Sequence, residues 1–145
     1  MKIYNPATNE LLQELAEETA ASIHQRYQQA VPAQKAWAGL PLTDRIHFVQ
    51  QFKELLQRDA VALATLLSKE NGKPLNQARN EISGAATRIE WMLKNAERYL
   101  SDELMHEEKG LKELIVYEPL GVVANISAWN YPYLVGVNVF IPALL

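Results

Sequence analysis

Apolar positions repeat at two different periods along this chain, and the change of period divides it. From Pro41 onward Ile46, Val49, Phe52, Leu55, Leu56, Leu63 and Leu67 recur at three and four. That spacing predicts one amphipathic helix running to about Lys69. Thr43 or Asp44 is placed to cap its start. Glu70-Asn71-Gly72-Lys73-Pro74 then ends it, with Asn71 or Gly72 as the left-handed residue and Pro74 barring continuation. A further helix is expected from about Asn76. Its stripe is Ala78, Ile82, Ala85, Ala86, Ile89, Met92, Leu93 and Ala96, small enough to lie closely on a neighbouring helix. Glu81, Arg88, Glu90, Lys94, Glu97 and Arg98 are assigned to solvated faces, with Glu90 and Lys94 spaced to pair.

Before these, Asn5-Pro6-Ala7-Thr8-Asn9 is turn chemistry, and Leu11 to Leu15 suits an edge strand. Thr19 to Trp37 has a helical stripe through Ile23, Tyr27 and Ala30, with Pro32 expected to kink or split it. After these, the period shortens. Residues 103–107 and 112–117 flank Glu108-Lys109-Gly110 and predict a β-hairpin. Gly121 to Ile126 is a short apolar run of the kind found in buried parallel strands. Ser127 to Asn130 form a turn, and a helix is expected from Tyr131, with Asn130 as N-cap and Pro132 in its first turn. Tyr133 to Leu145 lacks charge and is expected to be a buried helix. Two Asn and two Pro within 130–142 argue against a membrane span.

Composition narrows the function. The 145 residues carry a net charge of -3 with both signs interspersed, so nothing points to a nucleic-acid or polybasic membrane surface, and neither partner is expected. There is no Cys, hence no disulfide, thiolate metal site or thiol nucleophile in these residues. The opening Met1 to Pro6 has no apolar core of a signal peptide, and a cytoplasmic protein is the expectation. His106, Glu107, Glu108 and Glu113 lie close in sequence but on a ribbon with Lys109 and Lys112, so no metal site is assigned. Gly72-Lys73 lacks the spacing of a phosphate loop.

Glu118-Pro119-Leu120-Gly121-Val122-Val123 followed by Trp129-Asn130-Tyr131-Pro132 resembles the aldehyde dehydrogenase superfamily. Asn5-Pro6-Ala7-Thr8 and Glu70-x-Gly72-Lys73-Pro74 recur in that family in the same order. Ala128 replaces a usual Pro and Tyr131 a usual Phe. The resemblance implies an α/β chain, the N-terminal part of an aldehyde dehydrogenase-like fold: helices, the start of a Rossmann-like parallel sheet and a projecting hairpin. Residues 1–100 and 120–145 would belong to an incomplete NAD(P)-binding domain, and 101–119 to an oligomerisation arm joining copies of the chain. Asn130 would donate to the oxyanion formed when a thiol attacks an aldehyde, against the alternative of a plain helix cap. Ile126, Ser127, Ala128, Trp129 and Asn130 would line NAD or NADP. The family's nucleophilic Cys and general-base Glu lie further along than Leu145, so these residues alone are expected to be inactive. The other reading is a non-catalytic truncated product acting as an oligomerisation or interaction module.

Overall fold

A computed structural model describes all residues from Met1 to Leu145. The elements in order are β1 (Lys2–Tyr4), β2 (Leu11–Glu14), α1 (Ala20–Ala38), α2 (Leu42–Arg58), α3 (Ala60–Asn71), α4 (Leu75–Leu100), β3 (Glu103–Glu108), β4 (Leu111–Ile115) and α5 (Pro132–Leu144). The strands form two separate antiparallel pairs, β1 with β2 and β3 with β4. The core lies between helices. Helix α4 packs against α2, α3 and α5, with Ala78, Ile82, Ala85, Ala86 and Ile89 buried along one face. Alanines along that face let the partner helices approach closely. From the facing helices come Val49 and Leu56 of α2, Ala64 and Leu67 of α3, and Val137 and Ile141 of α5. Phe52 meets Phe140 edge to face, with ring centroids 5.6 Å apart.

The expected helix over 43–69 is two helices. Asp59 serves as C-cap of α2 and N-cap of α3, with φ -95° and ψ 8°. The break takes a single residue. The Asp59 amide still donates to the Leu55 carbonyl and the Leu63 amide to the Asp59 carbonyl, both at 3.0 Å. The apolar stripe therefore crosses the break almost undisturbed, and no Pro or Gly marks it.

Pro32 does not split α1. A proline inside a helix deletes one hydrogen bond and strands a carbonyl. Helix α1 buries none of its residues, so water can serve that carbonyl. The start of α1 is a capping box between Thr19 and Ser22. Its end is tied to the core by Trp37, whose Nε1 donates to the Leu144 carbonyl at 2.8 Å.

The expected strand over 121–126 does not form, and the chain contains no parallel strand pair. A strand exists through its ladder, and here no second strand lies beside this run. Leu120 and Ile126 are each 96% exposed. The hairpin forms as expected, with Glu107 opposite Lys112 and His106 opposite Glu113, and every residue of both strands is exposed.

Candidate functional site

Three separated stretches meet at the start of α5. The first contact depends on Gly72, which ends α3 with φ +74°. A side chain is strained in that left-handed region. A Cβ there would also lie 2.8 Å from Pro6 Cγ. Gly72 thus turns the chain and admits the β1–β2 turn against it. The turn directs Lys73 and Asn71 toward residues 129–131.

Those two side chains hold the 129–131 turn by its backbone. Asn71 Nδ2 donates to the Trp129 carbonyl at 2.5 Å. Lys73 Nζ donates to the Asn130 carbonyl and lies 4.1 Å from the centroid of the Tyr131 ring. It also donates to Glu81 Oε2 at 2.6 Å. The Lys73 stem is nearly buried, and the Glu81 side chain is fully so.

Glu81 is the pivot. Its other oxygen, Oε1, accepts from the Tyr133 amide at 2.9 Å and from the Leu134 amide at 3.4 Å. These are among the first N–H groups of α5, which have no partner within their own helix. A carboxylate at a helix N-terminus meets both free donors and the positive end of the helix dipole. Glu81 therefore caps α5 from the second turn of α4. Its buried charge is matched by the Lys73 cation, as a carboxylate removed from water requires. Burial first, then the negative charges of Glu70 and Glu81, pushes the Tyr133 hydroxyl above the usual tyrosine range.

Asn130 is not the cap that the sequence suggests. The N-cap of α5 is Tyr131, and no side chain of its own segment caps the helix, because Glu81 already fills that place. The Asn130 side chain is exposed and makes no intrachain hydrogen bond, which leaves its amide free to donate. Ile126 is 96% and Trp129 81% exposed, and Ala128 is also exposed. Ser127 is half-buried, its Oγ donating to Asn125 Oδ1 at 3.0 Å. This part of the connector lies on α5 at Gly136, where an added Cβ would meet Ser127 Oγ at 3.4 Å. None of the N–H groups from Ile126 to Asn130 enters an intrachain backbone hydrogen bond. The five residues, all but Ser127 exposed, thus form one edge with free main-chain donors, seated on α5 at one end and on Asn71 and Lys73 at the other.

Sequence reasoning misses Glu81 and Lys73. Pattern alone places Glu81 on a solvated face, whereas it is only 3% exposed. A signal exists: Glu81 sits three residues after Ala78 and four before Ala85, on the apolar stripe itself. A carboxylate at a stripe position has to be buried with a partner. Lys73 reads in the sequence only as part of the helix stop, and its backbone does follow that stop. Its side chain has a separate role, binding Glu81 and the Asn130 carbonyl together.

The aldehyde dehydrogenase family model matches residues 1–145. Glutarate-semialdehyde dehydrogenase of Pseudomonas putida is 32% identical over 132 residues, which is 91% of this chain and 28% of that protein. The crystal structure of an aldehyde dehydrogenase from Brucella melitensis biovar abortus superposes with a TM-score of 0.92 at 27% identity, over 99% of this chain and 30% of that one. The NADP-dependent glyceraldehyde-3-phosphate dehydrogenase from Bacillus halodurans, complexed with NADP, gives 0.90 at 28% identity, over 99% and 31%. The chain therefore spans under a third of the length of the relatives it matches.

Proposed function

Because this chain belongs to the aldehyde dehydrogenase family, we propose that it is the amino-terminal part of an NAD- or NADP-dependent enzyme that oxidises an aldehyde to a carboxylic acid. The observation that carries the reading is Asn130. Its backbone is held on both sides, and its side-chain amide is free and exposed. When a thiolate adds to an aldehyde, the carbonyl π electrons move onto oxygen. A fixed neutral N–H aimed at that oxygen stabilises the charge as it forms, with little reorganisation at the moment of reaction. Asn130 supplies such a donor. The thiol comes from outside these residues, which contain no Cys. Alone they have no dehydrogenase activity.

The exposed edge from Ile126 to Asn130 fits the cofactor. Ile126, Ala128 and Trp129 offer apolar contact, and the free N–H groups offer hydrogen bonds. NAD or NADP, when bound, accepts a hydride from the substrate carbon. The chain's own part is to seat the cofactor beside Asn130. The β3–β4 ribbon, exposed along its whole length, joins copies of the chain. If it is the only functional part of a truncated product, that product acts as an interaction module.

Asn130→Ala in the whole gene product that carries these residues tests the reading. The expected result is a fall in kcat of roughly 10²–10³-fold with the cofactor Kd nearly unchanged. An unchanged kcat removes Asn130 from the chemistry.

A further inference from the structure

We propose that the buried pair Lys73–Glu81 positions Asn130 for catalysis, so that the helix-stop motif and α4 act on the reaction through the Asn130 backbone. This role rests on the oxyanion function proposed above and adds two residues that do not touch the substrate.

An amide donor is useful only if its residue is held in place, because small misplacements of a reacting group are costly. Asn130 is exposed, and no side-chain contact within these residues holds it. Its constraint comes through the main chain instead. The carbonyl before it, that of Trp129, is held by Asn71, and its own carbonyl by Lys73. From Tyr133 onward Glu81 accepts from the α5 amides, at Tyr133 and then at Leu134. Holding the turn before, at and after Asn130 leaves the side chain as its remaining freedom.

The pair is also built as one unit. Lys73 Nζ touches Glu81, the Asn130 carbonyl and the Tyr131 ring together. The Glu81 carboxylate is shared between that cation and the helix amides. Removing either charge leaves the other buried without its match, and the turn loses its register against α4. A pair that served stability alone would need no contact with the Asn130 carbonyl.

The test is a mutant cycle in the whole gene product. Lys73→Met keeps the apolar stem and removes the cation. Glu81→Gln keeps an acceptor for Tyr133 and removes the charge. Each is expected to lower kcat roughly tenfold or more while the cofactor Kd stays within about twofold. Lys73→Arg, which retains a cation and donors, should recover most of the loss. Hydrogen exchange at the Tyr133 and Leu134 amides should quicken in Glu81→Gln, while circular dichroism reports the fold. In an Asn130→Ala background the further loss from either variant should vanish, because a positioning residue has nothing left to position. Losses that multiply with that of Asn130→Ala overturn the inference. So does a damaging Asn130→Ala beside harmless Lys73→Met and Glu81→Gln. A harmless Asn130→Ala instead fells the oxyanion reading on which both rest.

Discussion

The helical layer α2–α5 and the stretch from Glu103 to Ala128 are both rich in apolar residues, yet they meet opposite fates. Every buried apolar side chain lies within 49–96 or 137–145. The ribbon and the connector after it bury none, although they include Leu104, Ile115, Val116, Leu120, Val122, Val123 and Ile126. The difference is one of period and partner. An α-helix satisfies its backbone internally and needs only a neighbour for its stripe. Helix α4 finds three such neighbours in this chain. A strand needs another strand for its backbone as well as a cover for its face. The run 121–126 finds neither here.

The contrast breaks most strongly in the core. Ile89 is fully buried in α4. Ile89→Ala should cost about 2–5 kcal/mol by lost burial and the cavity left behind. A urea titration followed by helical circular dichroism measures it. A loss below about 1 kcal/mol would mean that α4 is not the helix around which the others assemble.

A smaller effect sharpens the same contrast through charge. Hydrogen bonds from Lys53, then from Lys94, hold Glu90 well below the usual carboxylate range, at about 2. A carboxyl lowered from 4.5 on folding stabilises the fold fully above that value. The contribution fades as pH falls from about 4.5 toward 2. Glu90→Gln should therefore lower the thermal midpoint near neutrality and make its decline below about pH 4.5 shallower. Parallel acid titrations of the two proteins would show it, and equal slopes would discount the Lys53–Glu90–Lys94 cluster as a link between α2 and α4.

The smallest effect on stability is expected on the other side of the comparison. Leu120→Ser and Ile126→Ser should each change unfolding free energy by no more than ~0.5 kcal/mol. They should instead reduce self-association of the 145-residue chain, because an exposed apolar stretch with free backbone groups pairs with what is available. Sedimentation at micromolar concentration reads the change. A chain that is already monomeric before substitution would show that the exposed run does not recruit a partner.

Much of the helical layer is legible in the sequence because a stripe at helical spacing survives any tertiary context that gives it a neighbour. Spacing and turn chemistry alone locate the stripe of α4 and the stop at Gly72. They do not locate the break at Asp59, because the stripe and the hydrogen bonds run almost unbroken through it. Pro32 misleads in the opposite sense: α1 runs through it, and because the helix buries none of its residues, water can serve the freed carbonyl. The run 121–126 has the composition of a buried strand, but composition does not supply the strand beside it. At the site, the motif points to Asn130 as the proposed donor, while the local reading of it as helix cap is wrong, because the N-cap of α5 is Tyr131. The cap comes from Glu81, 52 residues away from Tyr133, and a local reading of 127–134 cannot contain it.

That distance has an evolutionary side. The hairpin and connector lie between the end of α4 and the turn that holds Asn130, but the turn takes its position from Asn71, Lys73 and Glu81, which precede them both. Insertions or deletions in the intervening segment lengthen or shorten a tether whose far end is fixed independently. The entropic cost of doubling such a loop is only about 0.6 kcal/mol. Descendants of this chain are free to remodel the ribbon, while the Asn130 turn inherits an unaltered address on α4.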